Sequence, residues 1–109
     1  MSASKTIIAD DDRLANVHPG DILREDFLIG SEIPLAEVAE KTGIDAAVLT
    51  HLVASAAPVT AEIDLRLGAY FGLSKGYFMR LQNAYDLEEV ERSFGDEINR
   101  IRPRIPQAA

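Results

Sequence analysis

Residues 35–60, LAEVAEKTGIDAAVLTHLVASAAPVT, constrain the fold more than any other stretch of the chain, because two short amphipathic helices meet there across a tight turn. Leu35, Val38 and Ala39 fall on one stripe of a first helix, and Gly43 follows Lys41 and Thr42 as the residue type that accepts a left-handed C-cap. The chain restarts at once through Ile44, with Asp45 placed to cap a second helix on which Val48, Leu49, Leu52 and Val53 recur at helical spacing. Ala39, four residues before Gly43, supplies the small side chain that two steeply crossed helices need. The pattern is a helix-turn-helix.

The flanking segments supply three more helices. Pro19, pre-set in φ for a first helical position, opens PGDILREDFLIG, in which Ile22, Leu23, Phe27 and Leu28 share a face and Gly30 ends the run. After the loop Ser55–Pro58, Thr60 caps a helix through Ile63, Leu65, Leu67, Tyr70 and Phe71 that Gly72 terminates. Ser74 is then placed to cap a longer helix through Tyr77, Phe78, Leu81, Tyr85, Leu87 and Val90, expected to fade near Gly95. The expectation is an all-α domain of five helices over residues 18–95. Leu23, Phe27, Val38, Ala39, Leu49, Leu52, Leu65, Leu67, Phe71, Phe78 and Leu81 are its expected core. Residues 1–17 read as a mobile arm, and 96–109, with Arg100, Arg102, Arg104, Pro103 and Pro106, as an extended tail.

A chain of 109 residues, 47% hydrophobic, is long enough for one modest core. It has no apolar run near the roughly 18 residues of a membrane span and no basic-then-apolar leader, so a cytoplasmic location is expected. The absence of cysteine rules out disulfides and thiolate chemistry. Asp10, Asp11 and Asp12 lack the alternating ligands and glycine of a calcium loop and read as a solvated charge run, so neither metal nor cofactor is expected. His18 and His51 stand in separate segments with no carboxylate pair or nucleophile at motif spacing, which argues against an enzyme. The tyrosines and phenylalanines of the last two helices recur at helical spacing and read as core.

Taken together, HPGDILREDFL, the helix-turn-helix and VTAEIDLRLGAYFGLSKGYFMRLQNAYDLE resemble the HigA/VapI group of antitoxins in the Xre, lambda-repressor-like, family. Four landmarks occur in order between His18 and about Arg104: the HPG start, the threonine-led LRL helix, the aromatic-plus-FG turn and the LQxxYDL stretch. The resemblance implies a small five-helix domain that forms a homodimer. It also implies binding to operator DNA upstream of its own operon, and pairing with a small RelE/HigB-like ribonuclease toxin.

A recognition helix meets the major groove with its first turn and the outward positions that follow. Here those are Asp45, Ala46, Ala47, Thr50, His51 and Ala54, of which Thr50 and His51 are the polar readers of a base edge or phosphate. Where the family places loop cations, this chain has Ser55, Ala56, Ala57 and Pro58. Between Ser31 and Asp64, Lys41 stands alone against Glu32, Glu37, Glu40, Asp45, Glu62 and Asp64, a local balance of −5 within a chain of net charge −7. Phosphate contacts from Lys and Arg supply most sequence-independent affinity for DNA, and this window offers few. Two classes stay open: a DNA-binding antitoxin and repressor, and a protein-interaction module that keeps the fold and docks a basic toxin through its acidic surface.

Overall fold

A computed structural model describes residues 14–105, and among them the backbone forms five helices and no strand. Helix α1 opens over Pro19–Ile22 and continues directly as a π-helix over Leu23–Ile29. It is followed by α2 (Leu35–Thr42), α3 (Ala46–Val53), α4 (Ala61–Phe71) and α5 (Tyr77–Asn99). The π segment differs from the single α-helix the sequence suggests. Its ladder runs from i to i+5, so Leu23 and Leu28 come round to the same side and both are buried, where an α-helix would set them about 140° apart.

Leu23, Val38, Leu49, Leu52, Leu67 and Phe78 are completely enclosed, one or two from each helix, with Ile44, Val59 and Ile63 closing the gaps between them. Phe27 joins the layers, its ring 5.0 Å from that of Phe71 and 5.6 Å from that of Phe78. Fully burying an aliphatic or aromatic side chain contributes about 2 kcal/mol, so this small cluster supplies most of the drive to fold.

Local stop and start signals act as the sequence suggests. Gly43 and Gly72 take the left-handed conformation at φ 76° and 72°, Asp45 accepts from the Ala47 N–H, and Thr60 accepts from the Ile63 N–H. His18 turns out to be structural. It is buried, its Nδ1 accepts from the Gly20 N–H at 2.9 Å, and its ring meets Tyr85 edge-on at 4.8 Å. Gly20 is required by a close approach, because a Cβ there would lie 1.8 Å from the Leu52 carbonyl oxygen. The HPG start is therefore the contact that seats α1 on α3.

Five further expectations are corrected. Leu65, assigned to the core, is half exposed, because the buried phase of α4 runs through Ile63, Leu67 and Gly68 and turns Leu65 outward. Val48, assigned to the inner side of α3, is 38% exposed. Ser74 does not cap α5: the N-cap is Gly76, and the side-chain acceptor is Asp64 from α4. Helix α5 does not fade at Gly95 but runs to Asn99, so residues 96–99 of the expected tail are helical. Of the expected arm, Leu14–Val17 lie along α5: Asn16 Nδ2 donates to the Tyr85 carbonyl, and Arg92 Nη2 donates to the Leu14 carbonyl. Ile7, Ile8 and the Asp10–Asp12 triplet lie outside the described residues.

Candidate nucleic-acid interface

Helix α3 owes its position to what it buries. Leu49 and Leu52 are wholly enclosed against α1 and α2, and this fixes the opposite face outward. Asp45, Ala46, Ala47, Thr50, His51 and Ala54 are all exposed. At about 100° per residue, the positions from Ala46 to Ala54 span an arc of roughly 140° on one side of the helix. Five of the six expected contact positions are thus gathered on one open face, and Asp45, the N-cap, lies exposed at the start of the helix.

Their polar groups are partly engaged within the helix. The Asp45 carboxylate caps α3 through the Ala47 N–H at 2.7 Å, and the Thr50 hydroxyl donates to the Ala46 carbonyl at 2.8 Å. His51 Nδ1 lies 2.8 Å from the Ala47 carbonyl oxygen, which can only accept, so Nδ1–H donates there.

Two arginines that sequence reasoning left out of this region border it. Arg24 of α1 donates through Nη1 to the Val53 carbonyl at the C-terminal end of α3 and pairs with Asp21 at 3.2 Å. Asp21 in turn accepts from Ser55 Oγ at 2.8 Å, so α1 grips the loop that leaves α3. Arg66 of α4 donates to the Thr42 carbonyl at the end of α2, 2.8 Å away, and pairs with Glu62 at 2.9 Å. Each guanidinium satisfies orphan carbonyls where the helix dipole is negative and each remains partly exposed. The Asp21–Arg24 spacing of three residues is a signal the sequence does contain. Asp64, by contrast, is buried and leaves the acidic surface to the other five carboxylates.

The fold has counterparts among known proteins. No profile of a known protein family matches the chain. Virulence-associated protein I of Dichelobacter nodosus is 31% identical over 98 residues, 90% of this chain and 90% of that protein. The chain belongs to the HigA/VapI-type family of Xre helix-turn-helix proteins. Among solved structures, the Pseudomonas aeruginosa antitoxin HigA with the higBA promoter is 32% identical, with a TM-score of 0.77, covering 84% of this chain and all of that one. Antitoxin GraA in complex with its operator is 27% identical, with a TM-score of 0.78, covering 88% of this chain and 98% of that one. Within the HigA/VapI-type fold, the landmarks that carry the resemblance have structural duties: His18 and Gly20 seat α1, Gly72 ends α4, and Gln82 fixes the loop after α3 by accepting from the Val59 N–H at 2.8 Å. No helix among the described residues is long and apolar enough to cross a membrane.

Proposed function

We propose that this chain is an antitoxin and operator-binding autorepressor that works as a homodimer and neutralises a small RelE/HigB-like ribonuclease toxin. The observation that carries the reading is the gathering of Ala46, Ala47, Thr50, His51 and Ala54 on one open face of α3, with the exposed N-cap Asp45 at its start, in a fold also adopted by antitoxins solved with promoter or operator DNA. Thr50 and His51 act as the polar readers, the alanine methyls offer apolar contact to thymine methyls, and Arg24 and Arg66 are cations at the ends of α3 and α2. A two-fold protein suits a palindromic operator. The acidic surface suits a basic toxin, because opposite charge speeds encounter and sets orientation.

One observation favours a second reading, a module that docks a protein partner and has given up operator binding. Lys41 remains the sole lysine or arginine between Ser31 and Asp64, facing Glu32, Glu37, Glu40, Asp45 and Glu62 on the surface. Fluorescence anisotropy on the chain's own upstream DNA and on a scrambled duplex, at several salt concentrations, separates the two. Tight, sequence-selective binding near physiological salt supports the repressor. Weak binding indifferent to sequence, with retained toxin binding, supports the docking module.

A further inference from the structure

Positive charge is scarce on this chain, and much of it is already engaged. Arg24, Arg66 and Arg92 each pair with a carboxylate, at 3.2, 2.9 and 2.6 Å, and Arg80 turns back to the Lys75 carbonyl and the Ser74 hydroxyl. The segment that leaves α5 is different. From Ile98 to Ala109 there are three arginines and no aspartate or glutamate, a side-chain balance of +3 in a chain of net charge −7. Arg100, Arg102 and Arg104 are all exposed, and none of their side chains makes a hydrogen bond or ion pair among the described residues. Arg100 leaves even Asp96 and Glu97, one helical turn earlier, unpaired with it.

The helix end accounts for one of the three. Arg100 is the C-cap of α5, its N–H donating to the Glu97 and Ile98 carbonyls, and a cation there suits the negative end of the helix dipole. That effect fades within the last turn, so Arg102 and Arg104 have no such task. Pro103 has a fixed φ and no N–H, and it biases Arg102 before it towards extended backbone, as Pro106 does Ile105. Residues 101–105 accordingly form neither helix nor strand. Every second residue from 100 to 104 is an arginine, so successive guanidinium groups stem from positions at most about 7 Å apart along the chain. That is comparable to the separation of neighbouring phosphates on a DNA strand. All three are arginine rather than lysine, the side chain whose planar fork takes phosphate oxygens in pairs.

We infer that Arg100, Arg102 and Arg104 form an arm that contacts the phosphate backbone of duplex DNA and supplies the sequence-independent affinity that the α3 face lacks. The face of α3 carries no lysine or arginine and lies within a window of balance −5, so a cationic contact has to come from outside it. Backbone contacts position a protein while base contacts specify, and the two duties are here placed on separate elements. The inference rests on the operator-binding reading proposed above and adds to it a surface outside the helix-turn-helix.

Salt titrations of the full chain on operator and scrambled duplexes test it, comparing the native protein with a variant carrying Arg100→Gln, Arg102→Gln and Arg104→Gln and with one carrying lysine at the same three positions. The glutamine variant should bind both duplexes at least tenfold more weakly near about 0.1 M salt and flatten the slope of log affinity against log salt by up to about three units per protomer. Its preference for operator over scrambled DNA should stay native, and the lysine variant should keep most of the slope. A native slope in the glutamine variant overturns the inference. A photo-crosslinker on Gln107→Cys, the sole cysteine in such a chain, should label the duplex, and failure to label it overturns the arm even where the glutamine variant binds weakly for another reason. Lost self-association or lost toxin binding with an unchanged DNA slope assigns the arginines to a protein surface and overturns it as well. The two readings fail separately. Native binding that is equal on both duplexes and lost in the glutamine variant leaves the arm standing without the repressor, whereas operator preference with an unchanged slope leaves the repressor standing without the arm.

Discussion

Asp64, buried on α4, accepts a hydrogen bond from the backbone N–H of Phe78 at 2.8 Å, and the same carboxylate takes the N–H groups of Gly76 at 2.7 Å and Met79 at 3.1 Å. One side chain thus satisfies three backbone donors at the start of α5 and ties the base of that helix to the helix before it. Because α5 also holds Val59 through Gln82, the carboxylate indirectly sets the loop that leaves α3. An interior acid on a helix otherwise facing the core is tolerated because every donor it meets is a backbone N–H at a helix N-terminus.

Asp64→Ala should therefore lower unfolding stability by about 2–3 kcal/mol, since it leaves buried N–H donors without partners. Asp64→Asn keeps one acceptor oxygen and should cost less. Urea titration followed by circular dichroism measures both, and equal losses for the two variants would mean that the single amide oxygen of Asn replaces none of what the carboxylate accepts.

Most of the local punctuation was legible in the sequence, because it acts over a few residues. Gly43, Asp45, Thr60 and Gly72 each sit next to the backbone groups they serve. The Asp64 cap was not legible, since its donors lie up to fifteen residues further on and only the packing of α4 against α5 brings them within reach. Leu65 was misplaced for a related reason: Ile63, Leu65 and Leu67 are equally apolar, and only the whole helix phase decides that 63 and 67 point inward. The face of α3 was legible residue by residue, but its electrical surroundings were not. Arg24 and Arg66 come from outside the helix-turn-helix window and reach it through space.

Gly20→Ala should be among the most damaging single changes. The added methyl would have to displace the Leu52 backbone, and relieving that overlap separates α1 from α3. A loss of roughly 3 kcal/mol is expected. A denaturation midpoint close to that of the native chain would show that α1 is not held by this contact.

The Asp21 strap makes stability depend on pH. Burial alone would raise its carboxyl pKa, but hydrogen bonds from Ser55, from the His18 backbone N–H and from Arg24, with the Arg24 charge beside it, outweigh burial and hold it below the ordinary 3.8. A carboxyl depressed by folding stabilises the native state above its unfolded value, and that contribution is lost as pH falls through the folded value. Native protein should lose more stability between about pH 5 and about pH 3 than Asp21→Asn does. Parallel curves for the two proteins would remove Asp21 from the acid response.

The last prediction concerns what the open face of α3 lacks. Ala54 ends α3 and Ala56 follows in the loop, both exposed, beside a surface where carboxylates outnumber cations. Replacing them with Arg and Lys puts cations where the family places them. Each phosphate contact so gained should steepen the slope of log affinity against log salt by about one unit. Because such contacts carry no sequence information, the gain should appear on operator and scrambled DNA alike. Thr50→Ala and His51→Ala should act in the opposite manner, lowering affinity for the operator while leaving scrambled DNA untouched, since in the repressor proposed above these two side chains are the polar readers of base edges. Anisotropy with the four single variants and both duplexes resolves the two kinds of effect. If Thr50→Ala and His51→Ala leave operator affinity unchanged while the added cations raise it, the face positions the protein on DNA without reading sequence.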